Sequence, residues 1–164
     1  MTTIVTAEEI IALRNTSLSQ QSVVLATGVF DILHAEHRRF LKRAKSEGNV
    51  FIVGIEPDVR VRALKGQDRP INRQPKRLQN LASENIADYV FILPDNLGTR
   101  AGREAFIQKL KPQIYAVSSH TSFQEEKRRI MEKFKGQLKV VHPHNPQLST
   151  TQIIAAKNTK YRRG

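Results

Sequence analysis

Short apolar runs recur along the chain, and amphipathic stretches separate them. Val23-Val24-Leu25-Ala26 reads as a buried parallel strand. Val50-Phe51-Ile52-Val53-Gly54-Ile55, Tyr89-Val90-Phe91-Ile92-Leu93, Ile114-Tyr115-Ala116-Val117 and Leu138-Lys139-Val140-Val141 read the same way. Continuous apolar runs of this length mark strands covered on both faces. Between them the period changes to that of a helix. Residues 35–47 put His37, Phe40, Leu41 and Ala44 on one side and Arg38, Lys42 and Lys45 on the other, with Gly48 as the stop. Residues 74–84 turn Leu78 and Leu81 inward, and 102–110 stops before Pro112. Residues 122–134 are charged and amphipathic and end at Gly136, and 149–157 is the last helix. A one-turn helix over 58–64 follows the second strand, and Lys65-Gly66-Gln67-Asp68-Arg69-Pro70 has the chemistry of a loop. Ahead of the first strand, Thr6-Ala7-Glu8-Glu9 fits a capping box that opens a short helix, with Ile10, Ile11 and Leu13 as its apolar face. Strands alternating with helices predict one α/β domain over 1–164: a parallel five-stranded sheet with helices on both faces. Residues 1–20 form its N-terminal helix and connection, and 158–164 a basic tail.

The most informative switch of pattern lies at Thr27-Gly28-Val29-Phe30-Asp31-Ile32-Leu33-His34-Ala35-Glu36-His37. Two histidines three residues apart stand between the first strand and a helix, beside a glycine. An open α/β sheet binds ligands there, outside the carboxyl ends of its strands. A helix N-terminus offers free N–H groups and partial positive charge to a phosphate.

Composition narrows the choice. The chain has 164 residues, 39% of them hydrophobic, and no apolar run reaches the ~20 residues of a membrane span. Its N-terminal stretch carries Glu8 and Glu9 and lacks the order of a secretory signal. It contains no cysteine, which excludes disulfides, thiolate metal sites and a cysteine nucleophile. A cytoplasmic location is the expectation. The net charge is +12. Seven basic residues (Arg60, Arg62, Lys65, Arg69, Arg73, Lys76, Arg77) face one acid, Asp68, over 60–77, and Lys157, Lys160, Arg162 and Arg163 close the chain. Such charge favours nucleotides, phosphorylated metabolites or nucleic acid. Aromatic residues make up only 6% and do not interleave with the basic runs apart from Tyr161, which counts against a single-strand nucleic-acid platform. The tail reads as a solvated basic surface. His142 and His144 flank Pro143 and read as surface loop residues, with no third residue at a metal-ligand spacing.

The Thr-Gly-x-Phe-Asp-x-x-His-x-x-His pattern resembles the first motif of the cytidylyltransferase-like nucleotidyltransferases. Three further segments extend the likeness: Val61 to Gly66 with Arg69-Pro70-Ile71-Asn72, the helix Gln74 to Asp88, and Leu148-Ser149-Thr150-Thr151-Gln152-Ile153-Ile154. Together they are similar to the adenylyltransferase domain of bacterial ADP-heptose synthases. The resemblance implies a Rossmann-like fold and transfer of a nucleoside monophosphate, AMP first, from its triphosphate to a phosphorylated acceptor such as a sugar phosphate. Pyrophosphate leaves, and Mg2+ accompanies the nucleotide. His34, His37 and Lys65 are the candidate catalytic residues, since this chemistry needs positioning and positive charge more than covalent help. Thr27, Gly28 and Phe30 line the nucleotide, and Ser149, Thr150 and Thr151 hold its triphosphate end. Asp31 either caps the following helix or contacts the acceptor, and Arg77 is a second candidate acceptor contact. Relatives often form homodimers. Alternative readings keep the chemistry with CTP and glycerol phosphate or a phosphoalcohol, or with ATP and flavin mononucleotide or phosphopantetheine. A third is a nucleotide- or RNA-binding module without catalysis.

Two departures bear on activity. The family carries His-x-Gly-His, and Glu36 stands here in place of the glycine. A glutamate facing the nucleotide weakens binding; one turned to solvent costs little and suits a helix N-terminus. Before Ser149, many relatives carry Arg-Thr-Glu-Gly, where this chain has His144-Asn145-Pro146-Gln147.

Overall fold

A computed structural model describes residues 1–143 and 150–162. Six parallel strands form one sheet: β1 (Thr3–Ile4), β2 (Val23–Gly28), β3 (Val50–Ile55), β4 (Tyr89–Ile92), β5 (Ile114–Ser118) and β6 (Gln137–His142). The helices are α1 (Ala7–Asn15), α2 (Ala35–Lys45), α3 (Asp58–Lys65), α4 (Gln74–Ser83), α5 (Arg100–Leu110), α6 (Gln124–Lys133) and α7 (Thr150–Arg162), with a 3-10 turn at Asp95–Gly98. Five strands were expected. The sixth, β1, is a two-residue edge strand whose Ile4 is exposed, so no apolar run announces it. It is held on β4 by the Thr3 amide donating to the Asp88 carbonyl (2.9 Å) and the Val5 amide to that of Val90 (3.0 Å). The capping box formed as expected: Thr6 Oγ1 accepts from the Glu9 amide and the Glu9 carboxylate from the Thr6 amide. α2 ends at Lys45, two residues short of the predicted end. Gly48 serves close packing instead, because a Cβ there would lie 2.7 Å from the Val24 side chain.

The strand order β1-β4-β3-β2-β5-β6 sets where a ligand site forms. From β2 the chain winds outward through β3 and β4, then crosses back to add β5 and β6 on the other side. The reversal leaves a crevice at the carboxyl ends of β2 and β5, the switch point of a doubly wound sheet. Alternation along the strands feeds two cores, one on each face. Val23, Leu25, Ile52, Phe91 and Tyr115 meet Ile10 of α1, Phe106 and Leu110 of α5 and Ile130 and Met131 of α6. Val24, Ala26, Phe51, Val53 and Val90 meet Phe40, Leu41 and Ala44 of α2 and Leu78 and Leu81 of α4. Helices therefore cover both faces, as the apolar runs predicted.

Leu25 is fully buried at the centre of the first core. Leu25→Ala is expected to cost about 2–5 kcal/mol, since the rigid sheet cannot close the cavity. Urea unfolding of the two proteins measures it.

Candidate functional site

The crevice at the switch point is a cleft of about 370 Å³. Thr27 and Gly28 come from the end of β2, Val29, Phe30 and Asp31 from the loop after it, His34 from the N-cap of α2, and Glu36, His37 and Phe40 from α2 itself. Lys65 ends α3, Arg69 follows in its loop, and Thr150 and Thr151 open α7. Val117, Ser118, His120 and Thr121 come from the end of β5, and His142 from the end of β6. Residues more than a hundred positions apart thus surround one space. Ser149 lies outside the described residues, as do His144 to Gln147.

Gly28 is needed because its Cβ would stand 2.9 Å from the Phe30 ring. Phe30 itself has φ 49°, a left-handed conformation that costs a bulky residue free energy and is kept here by burial of its ring. The ring edge meets His37 at 5.3 Å between centroids. His34 and His37 stack, with centroids 3.8 Å apart and planes 20° apart. His34, not Asp31, caps α2: its Nδ1 accepts from the His37 amide at 3.4 Å. That assignment leaves the proton on Nε2, so the His34 ring keeps a donor.

The electrostatics are unusual for a basic protein. Burial, then the neighbouring His34 ring, pushes His37 down to about 4 from an ordinary 6.5. Burial lowers His34 as well, partly offset by Glu36. Both rings are neutral near pH 7. Lys65 is lowered by burial and by Arg69 beside it, against the pull of Asp31. Arg69 donates from Nε to Asp31 Oδ2 at 3.3 Å, while its Nη2 is buried without a hydrogen-bond partner. Lys65 and Arg69 therefore put two cations on the cleft wall beside neutral imidazoles. A buried guanidinium nitrogen with an unmet donor suits an anionic ligand.

A family model for "Cytidylyltransferase-like" proteins matches residues 25–156. The chain belongs to the cytidylyltransferase-like family. Among curated relatives, "Bifunctional protein HldE" of Campylobacter curvus is 41% identical over 95 residues, which is 58% of this chain and 19% of the relative. The protein of the same name from Helicobacter pylori is 37% identical over 98 residues, 60% of this chain and 20% of the relative. This chain spans about a fifth of the length of those relatives. A solved lipopolysaccharide core biosynthesis protein from Thermoplasma volcanium superposes with a TM-score of 0.61 at 26% identity, covering 74% of this chain and 95% of that one. A Thermus thermophilus pantothenate synthetase shares the fold alone, at 17% identity and a TM-score of 0.67, over 99% of this chain and 70% of its own.

Within this family member, two predicted residues serve the scaffold. Arg77 is fully buried and does not line the cleft, which corrects its assignment as an acceptor contact. Its guanidinium donates to the carbonyls of Asn72 (3.0 Å), Val29 (2.7 Å) and Glu56 (2.8 Å) and to Asp58 Oδ1 (2.8 Å). Asp31 lines the cleft, but its carboxylate already accepts from the Ile71 and Asn72 amides, each at 2.8 Å, and it is 2% exposed. It ties the first-motif loop to the loop that carries Arg69.

His142 is also corrected: it is buried in β6, not on a surface loop. Its Nε2 is 2.7 Å from Glu36 Oε2 and its Nδ1 is 2.9 Å from Arg43 Nη1. Glu36 also pairs with Arg39, and the hydrogen bond from His142, first among its partners, holds the carboxyl below its usual range. Glu36 thus takes neither expected course. It turns across to the β6 side and stays on the cleft wall. Arg69, Ser118, Thr121 and His142 were missed as site residues. Arg69 stood within a motif already singled out. The other three lie at the ends of β5 and β6, and only the strand order shows that those ends face α2. In the basic run, Arg60 pairs with Glu56, Arg69 with Asp31 and Arg77 with Asp58, so much of that charge is spent inside the molecule. α7 runs through Arg162, past the predicted end at Lys157.

Arg77→Met takes the guanidinium from three carbonyls and leaves Asp58 without its cation, and is expected to destabilise the fold by about 3–5 kcal/mol, measurable by urea unfolding. For His37, an NMR pH titration should show its ring protonating near pH 4, well below the ordinary 6.5. In the unfolded chain the ring takes its proton earlier, so His37 stabilises the fold fully above about 6.5 and loses that contribution as pH falls toward 4.

Proposed function

We propose that the protein transfers a nucleoside monophosphate, AMP first, from its triphosphate to a phosphorylated small acceptor such as a sugar phosphate. The observation that carries this reading is the convergence, in one cleft, of His34 and His37, the cations Lys65 and Arg69, and Thr150 and Thr151 at the start of α7. Membership of the cytidylyltransferase-like family and the identity to the HldE proteins support it.

In this reading an acceptor phosphate oxygen attacks the α-phosphorus. The bond from that phosphorus to the oxygen bridging it to the β-phosphate breaks, and pyrophosphate leaves with the electron pair. The His34 Nε2–H donates to the phosphoryl oxygens as charge builds, without being consumed as an acid. Lys65 and Arg69 neutralise the phosphates, and their fixed positions mean little reorganisation at the moment of reaction. The Thr150 hydroxyl donates to the Ile32 carbonyl at 3.3 Å, tying α7 to the first-motif loop. This contact supports the reading that the start of α7 meets the triphosphate end.

Among the described residues no group of three or more His, Asp or Glu could hold a metal ion. The Asp31 carboxylate is already engaged by backbone amides. Mg2+ would therefore be bound chiefly by the nucleotide's own phosphates, where it would neutralise their charge. No described helix is long and apolar enough to cross a membrane.

Incubation with ATP or CTP, Mg2+ and a panel of phosphorylated sugars and alcohols should release pyrophosphate with one nucleotide preferred. His34→Ala should lower kcat by about 10²–10³-fold. Absence of pyrophosphate from every combination would reject the reading. Calorimetry of the natural protein beside Glu36→Gly separates an open site from one closed by Glu36: nucleotide binding recovered only in the variant supports the module without catalysis.

A further inference from the structure

Behind the cleft, on the α5–α6 face of the sheet, lies a lysine that the nucleotide reading does not use. Lys127 of α6 is half-buried, and its Nζ donates to Thr121 Oγ1 at 2.8 Å. The same ammonium sits 5.4 Å from the centroid of the Tyr115 ring, a cation–π arrangement. The Tyr115 hydroxyl in turn is 2.6 Å from Thr27 Oγ1. Thr27 and Thr121 both line the cleft, one from β2 and one from the loop after β5. One Tyr115–Lys127 unit therefore holds two cleft hydroxyls from behind.

The direction of the Thr121 hydrogen bond has a chemical consequence. An ammonium has three donors and no acceptor, so Thr121 Oγ1 must accept from it. The Thr121 proton is then turned away from Lys127. We infer that Lys127 is a positioning residue that fixes the Thr121 hydroxyl as a hydrogen-bond donor into the cleft, where it meets a phosphate oxygen of the ligand. The inference rests on the nucleotide reading only in that its recipient is a phosphate.

Deprotonation of Lys127 gives its nitrogen a lone pair. Thr121 can then turn its proton back, and the cleft loses a donor. The groups around the ammonium are Arg103 of α5, Glu56 after β3, Glu126 of α6 and Arg60 of α3, besides Tyr115 and Thr121. Arg60 and Arg103 are neutralised by Glu56 and Glu126 respectively, through contacts of 2.7 and 2.5 Å. Burial first, then Arg103, pushes Lys127 down to about 8, within reach of an ordinary assay.

The test is binding of inorganic pyrophosphate to the whole protein by calorimetry, from about pH 7 to about pH 9.5, a range that spans the titration. Pyrophosphate gains negative charge over this range, so a loss of affinity must come from the protein. The natural protein should bind it at the lower pH and lose about tenfold in affinity at the higher, the size of one hydrogen bond to a charged group. Thr121→Val should bind about tenfold more weakly at the lower pH. Lys127→Arg, whose cation does not titrate, should keep the affinity and lose most of the alkaline fall. Thermal unfolding of each variant checks that the fold is intact. Thr121→Val binding as well as the natural protein, Lys127→Arg keeping the full pH dependence, or no pyrophosphate binding by the natural protein would each overturn the inference. A natural protein that behaves as expected here but yields no pyrophosphate from any nucleotide would reject the proposed reaction and leave this inference standing.

Discussion

The Arg77 guanidinium is the junction on which the cleft depends. Its donors reach the loop after β2 at Val29, the loop after β3 at Glu56 and Asp58, and the 69–72 loop at Asn72. Each of these segments leaves its regular element with backbone carbonyls that no strand or helix pairs. A buried carbonyl left alone costs about 1–3 kcal/mol, and one planar cation satisfies three of them at once. Asp58 completes the junction, because its carboxylate also accepts from the Gln74 amide at the start of α4. Asp31 repeats the device from the other side, with an acid gathering the amides of Ile71 and Asn72. The loops that present His34, Lys65 and Arg69 are therefore fixed by charges inside the protein.

That internal use of charge explains a feature that composition hides. A net charge of +12 suggests a surface built for polyanions. Yet Arg14, Arg69, Arg77 and Arg103 donate to backbone carbonyls or carboxylates within the domain. What faces the cleft is more selective: two neutral imidazoles, Lys65, and an Arg69 with an unmet donor. Neutral rings add no charge beside Lys65, which burial first and Arg69 second already lower. On the β6 side, Glu36 and His142 place an acid on the same wall, balanced by Arg39 and Arg43.

Much of this was legible along the chain. Four of the six strands follow from continuous apolar runs, as strands covered on both faces require, and the edge strand β6 from a run broken by Lys139, with Val140 exposed. The N-terminus of α1 follows from Thr6 and Glu9, whose side chains cap amides only three residues away. The histidine pair and the Thr-Gly-x-Phe-Asp turn announce a ligand site because strand end, loop and helix start are contiguous. β1 was not legible: two exposed residues carry no pattern, and only the free edge of β4 makes them a strand.

The sequence by itself determined the class of fold, the first-motif loop and the kinds of group that meet a phosphate, because each depends on neighbours a few residues apart. Tertiary structure alone decided which charges are structural. Arg77 and Asp31 look like ligands in the sequence, and burial commits both to backbone partners. It alone brought His142 to Glu36 across 106 residues, and Thr121 and Lys127 to the back of the cleft. The reason is the sheet's reversal at β2: the order of strands in space differs from their order in the chain, so β5 and β6 lie beside the first motif.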